Sequence, residues 1–171
     1  MPQTTVLGHS LIVATMVYLN DLDKGVTGRQ IYNDYYTALF HDLPEVLTKD
    51  VITPVKVNVH GLVEILDEYE HELMNTKIMP LIPEAWHDEF RFLTFEPFSD
   101  KDDPRYGKVD GKCIKLCDVM GAYLEANVSR RIGIHSSKLR QGEESLRMRL
   151  ESMGEPIGAK ELMRRFDEME I

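Results

Sequence analysis

Apolar side chains recur at helical spacing along most of this chain, whereas the strict alternation that marks β-strands is weak throughout. The clearest example is segment 29–40, where Ile31, Tyr35 and Leu39 follow one another at four-residue steps and share one helical face. The periodicity therefore predicts an all-α fold. Further helices are predicted at 9–22, 59–78, 84–93, 112–131, 136–150 and 158–169, and the polar, turn-rich segment 99–107 predicts a mobile loop.

Length and composition indicate a single domain that covers residues 1–171. The chain has 171 residues, of which 43% are hydrophobic and 29% are charged, and a chain of this size can build one sizeable core. No apolar run approaches the length of a membrane span, and the N-terminal residues lack the basic-then-apolar layout of a signal peptide. We therefore expect a cytoplasmic protein with no membrane partner.

The net charge of −9 limits the kinds of partner that the chain can bind. Long nucleic acid is not expected, because binding to a phosphate backbone needs clustered Lys and Arg side chains. A small anionic substrate is still compatible with this charge, since a bound metal ion can supply positive charge locally.

A His-Asp doublet stands where helix 29–40 should end. Pro44 disfavours helical geometry at the preceding residue, so His41 and Asp42 are expected at a helix terminus, where they can face a cavity. His9 opens the first apolar helix, and Asp118 lies among apolar residues of segment 112–131, where an unpaired carboxylate would be costly to bury. Two imidazoles and two carboxylates suit one divalent cation, either Mg or one of Mn, Fe, Co, Ni and Zn. A metal-dependent hydrolase is the simplest interpretation.

Each of these residues, taken singly, has a more common structural role. His9 alone would be a hydrogen-bonded core histidine, and Asp42 would be a loop residue after a helix. Asp118 would be the buried partner of Lys115 or of an arginine. It is their combination, in this order and within apolar helices, that favours a shared metal site.

Two longer motifs carry a resemblance to a known family. The run HDLPEVLTKDVITPVK at residues 41–56 resembles the pattern HD-x-x-E-V-x-T-x-D-x-x-T-P-x-K of the 5′-deoxynucleotidase branch of the HD-domain phosphohydrolases. The run CDVMGAYLE at residues 117–125 is similar to the A-D-x-x-x-A-Y-L-E region of the same branch. The likeness extends over most of residues 6–135, and its central sixteen residues are far more specific than an isolated His-Asp dipeptide.

The resemblance implies a compact, multi-helix HD-type bundle with a central metal site. It also implies hydrolysis of the phosphate from small nucleotides such as (deoxy)nucleoside 5′-monophosphates, and family members are often homodimers. By position, the metal ligands are His9, His41, Asp42 and Asp118, the catalytic residues are Glu45 and Asp50, and the substrate-binding residues are Asp50, Thr53 and Lys56.

The residues themselves leave two of these roles open. Glu45 lies three residues after Asp42 and can act as a general acid or base beside a metal, but a Glu that follows Pro44 is equally suited to stabilise a helix N-terminus. Lys56 can offset phosphate charge or lie in solvent, and the second role is the more common one.

One departure from the family pattern opens alternatives for the function. The family places an arginine before the first histidine, where it orients the substrate phosphate, yet residues 1–8 contain neither Arg nor Lys. The chain is then expected either to be a domain excised from a longer protein or to bind its substrate differently. The alternative function is a catalytically weak regulatory module that binds metal and nucleotide. A helical scaffold without metal is the least favoured of the three functions.

Overall fold

The computed structural model describes residues 5–48, 62–153 and 158–169. These residues fall into two compact units, one made of Met1–Leu39 with Pro97–Ile171 and the other of Phe40–Glu96. The α-helices are α1 (Val6–Lys24), α2 (Gly28–Phe40), α3 (Leu43–Thr48), α4 (Leu62–Leu73), α5 (His87–Thr94), α6 (Gly111–Arg131), α7 (Ser137–Ser152) and α8 (Ala159–Glu168). A π-helical turn (Met74–Ile78) and two 3₁₀ turns (Met79–Leu81 and Glu84–Trp86) lie between α4 and α5.

The predicted all-α class is confirmed, and local sequence signals explain several helix ends. The Thr5 hydroxyl caps α1 by accepting from the Gly8 amide at 3.0 Å. Helix α1 ends at Gly25, whose φ of 64° lies in the left-handed region that glycine adopts readily. Helix α2 ends at Phe40, as Pro44 predicted, which leaves His41 in the turn before α3. Within the described residues, no helix combines the length and apolarity that a membrane crossing requires.

The first unit has a core formed where α6 packs against α1 and α7. Val13 and Val17 of α1 are completely buried, as is Met120 of α6. A core cluster on α6, α7 and α8 continues from them and contains Leu116, Val119, Met120, Tyr123, Leu150, Ala159 and Met163. Helix α6 is therefore the element on which the first unit is assembled.

A short β-hairpin in the first unit corrects the prediction that 99–107 is a mobile loop. Strands β1 (Lys101–Asp103) and β2 (Gly107–Val109) pair antiparallel, with Lys101 opposite Val109. Helix α2 anchors the hairpin, because Asn33 donates to the backbone oxygens of Tyr106 at 2.7 Å and Lys108 at 3.0 Å. These bonds come from a distant part of the sequence, so the local pattern of residues 99–107 does not contain the signal for pairing.

The second unit contains α3, α4, the π-helical and 3₁₀ turns and α5. Thr48 of α3 donates to the Glu70 carboxylate of α4 at 3.1 Å. Phe40 lies 5.5 Å from Phe90 between ring centroids, and Met74 is completely buried. The predicted helix 59–78 is confirmed from Leu62 to Leu73 and continues into the π-helical turn, while residues 59–61 lie outside the described residues.

Candidate metal centre

In the first unit, the His9 imidazole lies between two carboxylates of α6. Its Nε2 atom is 3.1 Å from Asp118 Oδ1, and its Nδ1 atom is 3.0 Å from Glu125 Oε1. The His9 side chain is 13% exposed and the Asp118 side chain 19%. Asp118 and Glu125 are two helical turns apart and share a face of α6, so one imidazole ring can reach both.

These two carboxylates change the protonation of His9. The hydrogen bond to Asp118, followed by the one to Glu125, raises the pKa of His9 from 6.5 to about 10, against the opposing effect of burial. Without a cation at this position, His9 is therefore an imidazolium that donates from both nitrogens at neutral pH. A metal ion bound to Nε2 would take the place of one of these protons.

Lys115 donates a hydrogen bond to the second carboxylate oxygen of Asp118. Its Nζ atom is 2.8 Å from Asp118 Oδ2 and lies 3.8 Å from the centroid of the Phe98 ring. The structural role suggested by the sequence, an ion pair between Asp118 and Lys115, is therefore present. It coexists with the contact between Asp118 Oδ1 and His9, because the carboxylate directs one oxygen to each partner.

In the second unit, the His-Asp doublet and Glu45 lie at the start of α3. The His41 side chain is 1% exposed, and its Nε2 atom is 3.1 Å from Asp42 Oδ1. The Glu45 amide donates to the Asp42 carbonyl oxygen at 3.1 Å, which places Glu45 one turn after Asp42. Glu45 thus belongs to the first turn of α3, where a carboxylate also stabilises the positive end of the helix dipole.

Each unit offers a His/Asp pair that fits a divalent cation. With metal–ligand bonds of about 2.1 Å, two ligand atoms at right angles on an octahedral ion lie roughly 3.0 Å apart. The His9–Asp118 and His41–Asp42 pairs both have this separation, at 3.1 Å. Imidazole nitrogen and carboxylate oxygen are donors that Mn, Fe, Co, Ni and Zn accept. The donor types and their separation in each pair therefore suit a metal of this group.

Three of the predicted site residues lie outside the described residues. They are Asp50, Thr53 and Lys56, which the resemblance assigns to catalysis and substrate binding. Their roles stay predictions.

Glu125 has no role in the interpretation drawn from the sequence, although it ends the motif at 117–125. Besides that motif, the signal in the sequence is the spacing of seven residues from Asp118, since it puts both carboxylates on one side of a helix. That signal becomes informative only when the partner of this helical face is known to be His9.

Comparison with known proteins identifies the family. The model of the family described as 5′-deoxynucleotidase YfbR-like matches residues 1–166. A 5′-deoxynucleotidase of Shewanella oneidensis is 30% identical over 154 residues, which cover 86% of this chain and 72% of the relative. A 5′-deoxynucleotidase of Klebsiella pneumoniae is 31% identical over 122 residues, covering 68% of this chain and 56% of the relative.

A third relative shows the same name over a shorter match. The 5′-deoxynucleotidase YfbR of Shigella flexneri is 31% identical over 90 residues, which cover 52% of this chain and 40% of that protein. The chain thus spans less than two thirds of the length of the Klebsiella and Shigella relatives. Together with the match of the family model, these similarities confirm the predicted HD-type resemblance. The chain belongs to the YfbR-like 5′-deoxynucleotidase family of metal-dependent HD-domain phosphohydrolases.

Proposed function

We propose that this chain hydrolyses deoxynucleoside 5′-monophosphates, using one divalent metal bound by His9, His41, Asp42 and Asp118. The observation that carries the proposal is the repeated His–Asp contact at 3.1 Å, once in each unit. This separation suits adjacent ligands of one cation, and the family to which the chain belongs is metal-dependent. The identity of the metal is open among Mn, Co, Ni, Fe, Zn and Mg, because this donor set discriminates weakly between them.

In the proposed mechanism, His9, His41, Asp42 and Asp118 would hold the metal, and the substrate phosphate would bind beside it. A bound divalent cation supplies Lewis-acid charge, which lowers the pKa of water and stabilises the negative charge of the phosphoryl group. Asp118 contributes Oδ1, since its Oδ2 accepts from Lys115 at 2.8 Å. Each ligand is then held by a packed helix or helix end, which keeps the site preorganised for the transition state.

Glu45 is proposed as the residue that moves protons. It follows Asp42 by one turn of backbone, a three-residue spacing that can bring the two side chains close together. From there the Glu45 carboxylate can accept the proton of the attacking water and return it to the leaving oxygen of the sugar. Asp50 is proposed to help with the leaving group, and Thr53 and Lys56 to hold the sugar and phosphate, by resemblance alone.

Two further properties are proposed from the family and from its substrates. The family resemblance suggests a homodimer, which light scattering on the purified protein tests directly. A cytoplasmic location is proposed because the small nucleotide substrates are found there, and fractionation of the native host tests it.

The test is phosphate release from a panel of deoxy- and ribonucleoside 5′-monophosphates. Metal-stripped protein is assayed after adding back Mn, Co, Ni, Fe, Zn or Mg, alongside Asp42→Asn, Glu45→Gln and the control Asp23→Asn, whose side chain is exposed on α1. Metal-dependent release from deoxynucleotides is expected for the wild type and the control. Asp42→Asn should lose both metal binding and turnover, whereas Glu45→Gln should bind metal and lose about 10²–10⁴-fold in rate.

Two outcomes would overturn the proposal. Unchanged turnover in Asp42→Asn would show that the His-Asp doublet does not hold a catalytic metal. Binding of metal and nucleotide by the wild type with no release of phosphate would instead establish the regulatory module that the sequence leaves open.

A further inference from the structure

We propose that Glu125 is a positioning residue for the metal ligand His9, fixing the imidazole with its proton on Nδ1 and its lone pair on Nε2. This inference rests on the proposed function, in which His9 binds the metal. Glu125 itself touches neither metal nor substrate in this proposal and acts only through the imidazole.

The contacts of the two ring nitrogens carry the proposal. Nδ1 lies 3.0 Å from Glu125 Oε1, and Nε2 lies 3.1 Å from Asp118 Oδ1. A neutral imidazole has one N–H donor and one acceptor nitrogen, so the partner of the donor decides which nitrogen is left to bind a cation. When Nδ1–H donates to Glu125, Nε2 is the nitrogen left for the metal. Nε2 is also the nitrogen that lies beside Asp118, another proposed metal ligand.

The packing of the ring supports a single orientation. Gly121 lies on α6 between Asp118 and Glu125, and a Cβ atom there would be 3.1 Å from His9 Cε1 and 3.4 Å from His9 Nδ1. The absence of a side chain at Gly121 therefore lets the imidazole lie against the helix backbone. Val13 lies at the same place, because its Cγ2 atom would be 3.2 Å from the same Cβ position.

Asp118 is held in a comparable way. Lys115 donates to Oδ2 at 2.8 Å, so the carboxylate keeps Oδ1 directed towards His9. Helix α6 thus carries the proposed ligand Asp118 and Lys115, whose ammonium group orients it. The same helix carries Glu125, whose carboxylate orients His9. Carboxylate partners of this kind commonly fix the tautomer of a ligating histidine, and removing one weakens metal affinity by about 10–100-fold.

The test separates the hydrogen bond of Glu125 from its charge. Glu125→Met removes both the acceptor and the charge, whereas Glu125→Gln removes the charge but keeps an oxygen that accepts from Nδ1–H. Glu144→Gln on α7 is the control, because its side chain is exposed. The dissociation constant for Mn²⁺ is measured for each variant, and ¹⁵N NMR of the histidine rings is recorded with Zn²⁺ bound.

We expect Glu125→Met to bind Mn²⁺ about 10–100-fold more weakly than the wild type, with Glu125→Gln within a few-fold of it. The wild-type NMR spectrum should show Zn²⁺ on Nε2 of His9 and a slowly exchanging proton on Nδ1, which Glu125→Met should lose. Equal losses in the Met and Gln variants, or a metal on Nδ1 in the wild type, would overturn the inference.

The controls keep this inference distinct from the proposed function. A wild-type protein that binds neither Mn²⁺ nor Zn²⁺ would contradict the metal centre itself, whereas unchanged binding in Glu125→Met would contradict only the role of Glu125. If Glu125→Met does not fold, Gly121→Ala tests the position of the His9 ring instead. Its new Cβ would lie 3.1 Å from His9 Cε1, so the ring must shift by about a few tenths of an ångström away from the helix. An unchanged Mn²⁺ affinity and ring spectrum in this variant would contradict the proposed packing of the ring against α6.

Discussion

Asp21 of α1 and Asp34 of α2 place two carboxyl groups beside each other inside the first unit. Their exposed fractions are only 1% and 0%. Two buried carboxylates beside each other repel, so the pair is more stable when one of the two stays protonated. Burial is the main cause that raises the pKa of both, and it raises the pKa of Asp34 to about 7.

The neighbours of this carboxyl pair favour its ionised form, but they do not cancel the effect of burial. The Asp110 amide donates to Asp34 Oδ1 at 2.8 Å, and the Gln30 side chain donates to Asp34 Oδ2 at 3.2 Å. Lys24 is the nearby cation, but its ammonium group pairs with the Asp110 carboxylate at 3.3 Å. Because the charge of Lys24 is shared with Asp110, it does not outweigh burial, and the pair keeps its proton.

The first prediction is that Asp34→Asn flattens the pH dependence of stability. The folded protein keeps a proton on Asp34 up to about pH 7, whereas an unfolded Asp loses its proton near pH 4. Since the folded state binds more protons between these values, the stabilisation is complete at low pH and is lost as pH rises towards 7 and above. Asn cannot ionise and still offers an N–H donor to Asp21, so the variant should melt higher than the wild type at pH 8.

Thermal unfolding followed by circular dichroism from pH 4.5 to 8.5 checks this prediction. Asp23→Asn on the exposed side of α1 is the control, and it should track the wild-type curve. A parallel pH dependence in Asp34→Asn and wild type would mean that the carboxyl pair does not hold a proton in the folded state.

The elements that the sequence predicted correctly are those specified by local patterns. Segment 29–40 was predicted from its four-residue spacing and is observed as Gly28–Phe40. The predicted stripe of Ile31, Tyr35 and Leu39 is only half-buried, and the side chains that this helix buries are Asn33, Asp34, Thr37 and Ala38. The hairpin was missed because its anchor, Asn33, is about seventy residues away from Tyr106 in sequence. Asp21 carried no signal either, since a lone Asp near a helix end is usually a surface residue.

The same distinction between local patterns and tertiary packing applies to the residues of the candidate site. The ordered set of His and Asp residues predicted His9 and Asp118 as ligands, and the structure brings these two residues together through α1 and α6. The contact of Glu125 with His9 was not predictable, because it depends on how two distant helices pack. Motif residues can be recognised in a sequence, whereas the side chains that orient them are found only from packing.

The second prediction concerns two glycines with opposite environments. A Cβ on Gly111, at the start of α6, would lie 2.4 Å from the Ser99 carbonyl carbon and 2.5 Å from that of Phe98. Backbone cannot move away as a side-chain tip can, so Gly111→Ala should lower the free energy of unfolding by about 1–3 kcal/mol. A Cβ on Gly142 in α7 would meet no other heavy atom of the described residues within 4 Å, so Gly142→Ala should raise the free energy of unfolding by about 0.5–1 kcal/mol.

Urea unfolding of both variants and the wild type measures these changes. The midpoints should move in opposite directions, down for Gly111→Ala and up for Gly142→Ala. A stable Gly111→Ala protein would show that the segment before α6 can shift away from the helix.

The third prediction is that Glu143 stabilises the contact between α6 and α7. Its carboxylate accepts from Asn127 Nδ2 at 2.8 Å and from Arg130 Nε at 2.7 Å. Burial alone would raise the pKa of Glu143, but these two donors outweigh it and lower the pKa. Glu143→Ala should lower the free energy of unfolding by about 1–3 kcal/mol, because it leaves the buried Asn127 amide without this acceptor.

The pH dependence of this effect has a defined sign. A carboxylate whose folded pKa is lowered stabilises the protein above its ordinary pKa, and that stabilisation is lost as the pH falls through the folded value. The difference between wild type and Glu143→Ala should therefore shrink under acidic conditions. Glu144→Ala at the exposed neighbouring position should change stability by less than about 0.5 kcal/mol at any pH. Equal effects of both substitutions would show that Glu143 does not specifically stabilise the contact between α6 and α7.

The fourth prediction is that a divalent metal stabilises the folded protein and that chelation reverses the effect. A ligand that binds only the folded state at 100 times its dissociation constant adds about 2.7 kcal/mol. Differential scanning fluorimetry with Mn²⁺ should therefore show a rise in Tm of several degrees, and EDTA should abolish it. Asp42→Asn, which removes one proposed ligand, should fail to respond to Mn²⁺, while Asp23→Asn should respond like the wild type. A rise in Tm of equal size in Asp42→Asn would place the stabilising metal elsewhere on the chain.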